Sequence, residues 1–462
     1  MAHLGPALEN RDFRLWWLGS FGMNMSLQML EVAIGWEVYA QHNSPLDLGW
    51  IGLAEFVPMF VLAIPAGHLA DRLPRRLVFA LALVAGAAVG VGLGVLSASA
   101  VTSVVPYLAL AAGAGVVMAT GTPASRAMPP TLVPADVLPN AMALRSIAGQ
   151  SAMVLGPALG GVLYGVSPVL VYLLAAAMCL LAAAAVVMIT ARPAAQPGRS
   201  ELRSAPGFGS VLEGLQFVRR TQILLGAILL DLLAVLFGGA VALLPIFARS
   251  ILHTGPEGLG VLRAAPAVGA LLAAILISRR PLLRRAGRLL LVVVGIYGAS
   301  IVVFGLSRVF WLSLIMLAVG GFADMFSMNI RSTTSALATP DRLRGRVSAV
   351  EMVFVSASNQ LGAFESGLAA SLVGTVPAVV GGGLITVGIA LAWSRLFPAL
   401  ARVDRLQDVR PAETMGTEAT PTASPQSTCS TGVRPRECGQ VPRLGSSSGR
   451  ESCAGHAAKG ET

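Results

Sequence analysis

Charge is what this sequence most lacks. Only 12% of its 462 residues are Asp, Glu, Lys or Arg, against 55% hydrophobic. A soluble domain carries about 25% charged residues. A chain with a mean hydropathy of +0.73 cannot cover its surface with polar groups in water, whereas lipid readily solvates an apolar exterior. A soluble enzyme is therefore disfavoured. Lysine is almost absent: Lys459, in Ala458-Lys459-Gly460, is the only one. A nucleotide-binding P-loop needs Gly-Lys-Ser/Thr, so an ATP-driven pump is disfavoured more firmly. The five histidines are scattered, without an HExxH or a Ser/His/Asp grouping, which argues against catalysis. Of the four cysteines, Cys179 falls in an apolar run and Cys429, Cys438 and Cys453 in a polar tail. None has CxxC or Cys/His ligand spacing, so no metal site, cofactor or disulfide framework is expected. The first apolar run is too long for a signal peptide and lacks a small-residue cleavage site.

What the sequence has instead is twelve apolar runs, at approximately 14–38, 48–70, 77–98, 104–124, 141–165, 169–191, 223–246, 257–278, 288–307, 310–332, 347–372 and 376–397. Each is near the ~20 residues that cross ~30 Å of hydrocarbon as a helix. The formal charge of +10 does not indicate a nucleic-acid partner, because the arginines sit in short loops between these runs. Arg11 and Arg14 precede the first run, and Arg72, Arg75 and Arg76 follow the second. Others cluster between the sixth and seventh, after the eighth, and after the tenth at Arg342, Arg344 and Arg346. Cytoplasmic loops accumulate Arg and Lys, so both termini are expected in the cytoplasm of a multi-pass cell-membrane protein.

A polar stretch, 192–222, divides the runs six and six. The expected organisation is an N-terminal six-helix bundle over 1–191, a connecting loop with a short amphipathic helix over 192–222, a C-terminal six-helix bundle over 223–398, and a disordered cytoplasmic tail over 399–462. The halves repeat weakly. Arg126 and Asp136 share one offset with Arg331 and Asp341, and Gly49-Trp50-Ile51-Gly52 and Pro58 match Glu257-Gly258-Leu259-Gly260 and Pro266. Parallel repeats of this kind are left by two related helical bundles.

The loop Gly67-x-x-x-Asp71-Arg72-x-x-Arg75-Arg76 resembles the signature of the major facilitator superfamily between its second and third helices, with Pro74 where a glycine is common. Gly156-Pro157-Ala158-Leu159-Gly160-Gly161 is similar to that family's antiporter motif in helix five. The resemblance covers roughly residues 10–398. It implies an all-α membrane protein of twelve transmembrane helices in two pseudo-symmetric six-helix bundles. Asn10-Arg11-Asp12-Phe13-Arg14-Leu15-Trp16 and Leu230-Asp231 through Gly238-Gly239 resemble the enterobactin-exporter and multidrug-efflux branch. That implies export of siderophores or drugs by proton antiport. An importer or uniporter of the same fold is the alternative, with a non-transporting receptor or membrane enzyme behind it. The expected partners are lipid, a small molecule and protons, and a monomer is expected.

Polar residues inside the runs carry the functional expectations. Ser20, Asn24, Gln28 and Glu31 recur at helical spacing and share one face. A polar stripe is costly against lipid, so it lines the bundle interior, either as a substrate path with Glu31 taking the proton or as inter-helix glue. Glu55 and Arg263 occupy equivalent repeat positions with opposite charge and are expected to meet as a gate pair, or else to find partners within their own halves. Asp231 is a second proton candidate, with Arg263 as an alternative partner. Asp324, Ser327 and Arg331 share a face, Arg331 being placed at the cytoplasmic end with a structural role. Asn359, Gln360 and Glu365 make the eleventh run polar, and Glu37 is expected to be merely solvated. Asp71 is expected to pair with Arg344 or Arg346, latching the halves together on the cytoplasmic side. Gly156, Pro157, Gly160 and Gly161 are expected to let helix five bend and pack closely.

Overall fold

The computed structural model describes residues 5–190, 208–279 and 285–402. Most of the connecting loop and the tail expected to be disordered, with its three cysteines, lie outside the described residues. Among the described residues all regular structure is helical. The first half comprises α1 (Arg11–His42), α2 (Pro45–Arg72), α3 (Arg75–Ala98), α4 (Val104–Arg126), α5 (Leu138–Val166) and α6 (Pro168–Val187). A short helix, Phe208–Arg220, precedes the second half. That half comprises α7 (Gln222–Phe237, prolonged by 3-10 and π turns to Ile251), α8 (Pro256–Arg279), α9 (Ala286–Leu306), α10 (Phe310–Ala338), α11 (Arg344–Val373) and α12 (Thr375–Leu396).

Local chemistry sets several boundaries. The Asn10 side chain accepts from the backbone amides of Asp12 at 2.9 Å and Phe13 at 3.2 Å, satisfying donors that the first turn of α1 leaves free. Asn43 closes α1 in the left-handed region at φ 51°, and Pro45 starts α2 where no amide is needed. Ten of these helical segments are long and apolar enough to cross a membrane. The other two, α1 and α11, are 32 and 30 residues long but more polar, because they carry Asn24, Gln28 and Glu31, and Asn359, Gln360 and Glu365 respectively. Lipid-type exposure accompanies this: Leu181, Leu372 and Leu391 are each more than 70% exposed, which water would penalise.

The two halves pack alike. In the first, α1 lies on α5 and α6, α3 on α4 and α6, and α2 on α4; in the second, α7 lies on α11 and α12, α9 on α10 and α12, and α8 on α10. They meet along two equivalent seams, α5 against α8 and α2 against α11. Glycine makes both seams close. A Cβ on Gly161 would lie 2.4 Å from the Pro256 carbonyl oxygen, and one on Gly260 2.4 Å from that of Pro157. At the other seam a Cβ on Gly367 would lie 2.9 Å from the Gly49 Cα. Only glycine permits such backbone approach, as in tightly packed membrane helices.

These seams sit at the end of the bundle remote from the N-terminus, the distal end. There a single hydrophobic core runs through both halves, from Ala33 and Val38 of α1 to Leu243, Phe247 and Phe304. Toward the other end, which carries the N-terminus, the core divides. One cluster, around Phe13, Trp16, Phe79 and Val186, belongs to the first half, and another, around Leu230, Leu290 and Trp393, to the second. The halves are fused distally and packed separately at the terminal end.

A side chain on Gly260 should therefore pry the distal end apart. In a background without native cysteines, a cysteine replacing Ile34 is expected to react several-fold faster with an impermeant maleimide from the distal side when Gly260→Leu is also present. Equal rates would show that the glycine seam does not hold this end shut.

Candidate transport cavity and its charge network

Beneath the distal closure lies a cavity of about 140 Å³. Asn24, Gln28 and Glu31 of α1, Glu55 of α2, Thr122 of α4 and Gln360 of α11 give it a polar lining, and Leu27, Ile34 and Leu110 are among its apolar residues. Its volume is below the roughly 300 Å³ of a small ligand site. In this conformation it accommodates waters or a small ion, and a larger cargo requires the helices to part. Three of the four residues of the α1 stripe reach the cavity. Ser20 instead approaches Ser125 of α4, hydroxyl to hydroxyl at 3.4 Å, and its carbonyl accepts from the Asn24 amide at 2.7 Å.

The guanidinium of Arg263 donates to Glu31 across the two halves, forming an ion pair. Glu55 instead accepts from the Gln360 amide at 3.4 Å, linking α2 to α11. Helix packing explains why the expected Glu55–Arg263 contact gives way. Arg263 lies one turn beyond Gly260, in the seam that sets α8 against α5 beside α1, whereas Glu55 lies one turn beyond Gly52, in the seam against α11. The long arginine side chain therefore meets the carboxylate of α1. Both carboxylates remain within electrostatic reach of the one guanidinium, so two acids share a single base.

The second half holds another intramembrane pair. Asp231 of α7 bonds Arg331 of α10 at 2.6 Å, and the Arg331 Nε also donates to the Ser327 hydroxyl at 3.3 Å. Asp324 shares a water-sized cavity with Asp231, Ser327 and Tyr297. This corrects two expectations: Arg331 is a half-buried ion-pair partner well before the end of its helix, and Asp231 takes Arg331 rather than Arg263. Since α10 continues to Ala338, Arg331 stands about two turns inside the helix end.

Glu37 is a further correction. It is buried at 4% exposure and accepts from the hydroxyls of Tyr107, at 3.0 Å, and Tyr172. The pairing has a readable signal: Glu37 lies five residues before the distal end of α1, and the tyrosines lie three and four residues after the distal starts of α4 and α6. All three share one depth.

In the signature loop, the side chains of Gly67, Asp71 and Arg72 lie outside the described ones. Arg75 donates to the Ala127 carbonyl at 3.0 Å and Arg76 to that of Ile189. Both thus serve carbonyls left free at the ends of α4 and α6. Arg344 pairs with Asp341 at 2.9 Å, and Arg346 with Glu213 of the short helix, so the start of α11 is tied within its own half. In α5 the motif residues face two neighbouring helices. A Cβ on Gly156 would lie 2.5 Å from the Gln28 Cβ and one on Gly160 3.0 Å from the Met29 Cα, while Pro157 and Gly161 face α8.

Replacing Arg263 by Gln leaves Glu31 and Glu55 without a counter-charge. Removing one partner of a fully buried pair costs about 3–5 kcal/mol. Here the Glu31 side chain is 42% exposed, so water screening reduces the expected cost to about 1–2 kcal/mol. R263Q should lower the apparent melting temperature in detergent, and adding E31Q should restore most of the loss. A double variant no more stable than R263Q would mean that the two side chains are not coupled.

Comparison with known proteins agrees with this architecture. Residues 2–418 match the family model described as transmembrane secretion effector. The enterobactin exporter EntS of Citrobacter koseri is 29% identical over 387 residues, covering 82% of this chain and 90% of that protein. The uncharacterized MFS-type transporter YfiS of Bacillus subtilis is 29% identical over 244 residues, covering 52% and 57%. Among solved structures, an inward-facing bacterial homolog of the human lysosomal transporter Spinster superimposes with a TM-score of 0.63 at 16% identity, covering 84% of this chain and 97% of that one. The nucleoside transporter NupG gives 0.62 at 14% identity, covering 85% and 99%. The chain is a multi-pass membrane transporter rather than an enzyme, and it belongs to the transmembrane secretion effector family of the major facilitator superfamily.

Proposed function

We propose that this transporter exports small amphiphilic molecules from the cytoplasm in exchange for protons, working as a monomer in the cell membrane with both termini inside. The carrying observation is the Glu31–Arg263 ion pair, which joins the halves one turn beneath the glycine closure and faces the cavity. With the arginine-rich loops on the cytoplasmic side, the distal end is the outer one, closed here. Likeness to a protein named as an enterobactin exporter supports export over import.

Physically, the ion pair acts as a brake. While Glu31 is ionised it holds α8 against α1, and the empty carrier stays closed outside. A proton on Glu31 removes the charge that Arg263 answers. A cargo drawing on Arg263 has the same effect. Either one frees the halves to rock, whereas the empty, deprotonated carrier cannot, and this restriction is what couples two opposed fluxes. Glu55 and Gln360 provide a second link at the same depth, and Asp231 with Arg331 stiffens the second half. In the outward-open state Asp71 would engage Arg344 or Arg346, which would then leave Asp341 and Glu213.

Inverted vesicles with an acid lumen should accumulate a fluorescent amphiphile or a siderophore. E31Q should lose gradient-driven accumulation at least tenfold while retaining cargo-for-cargo exchange. Undiminished accumulation by E31Q would remove Glu31 from coupling, and accumulation only in right-side-out vesicles would establish import.

A further inference from the structure

At the terminal end two arginines of the first half stand without acids among the described residues. Arg126 is the last residue of α4, and Arg145 lies two turns into α5. Arg126 is exposed and Arg145 half-buried, and they lie within electrostatic reach of each other. Among the described residues neither has a carboxylate partner. Arg126 points between the halves rather than into lipid, since its guanidinium meets the Met352 sulfur of α11 at 3.7 Å. A thioether is a weak acceptor and supplies no charge.

The repeat makes this pair informative. Arg331 is the counterpart of Arg126 in the second half, and there Asp231 neutralises it. Beside Arg126, α1 presents Trp16, whose indole donates to the Ser125 carbonyl at 3.1 Å, and the Ser20 hydroxyl. The same position is thus electrically closed in one half and open in the other. Arg126 also lies one turn beyond Thr122, which lines the cavity, so the pair stands on the terminal side of that space, Arg145 within electrostatic reach of Arg126. Two cations held together with no carboxylate among the described residues to answer them raise the local concentration of a mobile anion, and guanidinium forks suit oxyanions.

We propose that Arg126 and Arg145 form a docking site for the oxyanion of the cargo, a carboxylate, sulfonate or phosphate on a small amphiphile. The site captures the anionic head on that side and leaves the apolar body facing Leu27, Met118 and the rest of the cavity wall. This names the cargo class and rests on the exporter reading only for the cargo's later passage. Capture itself needs no gradient.

Two dyes with one skeleton test it: 8-anilinonaphthalene-1-sulfonate, and N-phenyl-1-naphthylamine, which lacks the sulfonate. Equilibrium binding is read by fluorescence with the full chain in phosphatidylcholine vesicles. The parent should prefer the sulfonate. R126Q and R145Q should each weaken it about tenfold, the scale of one charge-assisted contact, with R126K retaining part and the neutral dye unchanged. No preference in the parent, no change in R126Q/R145Q, or equal loss of both dyes would overturn the site. Repetition with phosphatidylglycerol added separates the sources. If the anionic lipid abolishes sulfonate binding in the parent, the site belongs to a headgroup and the cargo assignment falls. If the sulfonate binds as expected but no pH gradient moves it, the exporter reading fails while the anion site stands.

Discussion

One guanidinium, that of Arg263, answers a carboxylate of α1 across the bundle while a second carboxylate, Glu55, stands nearby. The rest of the structure depends on this imbalance. Charge in a membrane interior is costly unless paired, and one base can answer only one of two ionised acids. In the exchange proposed above a proton supplies the second neutralisation, and Glu31 is open to the cavity. The ion pair is also a mechanical link, because its two side chains come from different halves.

The glycine seams make the link possible. If Gly161 and Gly260 carried side chains, α5 and α8 would stand farther apart, and Arg263 would be drawn away from α1. Close backbone approach and charge pairing are therefore one device: the seam fixes the depth and separation at which the charges meet. The shared distal core adds dispersion and apolar burial to the same closure, and the divided cores at the other end leave the halves free to separate there.

Much of this is legible in the sequence. Hydrophobic runs locate the helices because lipid demands them, and the arginine-rich loop and the Gly-Pro motif point to the fold through residues that only a few architectures need. The polar stripe on α1 is readable from a periodicity that places Asn24, Gln28 and Glu31 on one face. Partnership is less legible. The repeat gives Glu55 and Arg263 equivalent positions, but equivalence in a pseudo-twofold fold puts them at two different seams, and the reach of an arginine then selects Glu31. Arg331 looks like an arginine at the cytoplasmic end of its span because the helix continues beyond the apolar run, to Ala338. Glu37 looks solvated because its tyrosines lie on helices far away in the chain, at a depth found only by counting from the distal end of each.

The two halves share a backbone plan yet differ in charge. In the second half Arg331 is satisfied internally by Asp231. In the first, Arg126 and Arg145 have no carboxylate partner among the described residues, while Glu31 looks to the other half for its cation. A half that balances its own ionised groups gains nothing electrostatically by changing partners and moves as a stiff body. A half left with both unanswered acids and unanswered bases responds to whatever ion arrives. In the exchange proposed above, near-symmetry would supply the rocking motion, and broken symmetry in a handful of ionisable side chains would determine which half senses the proton.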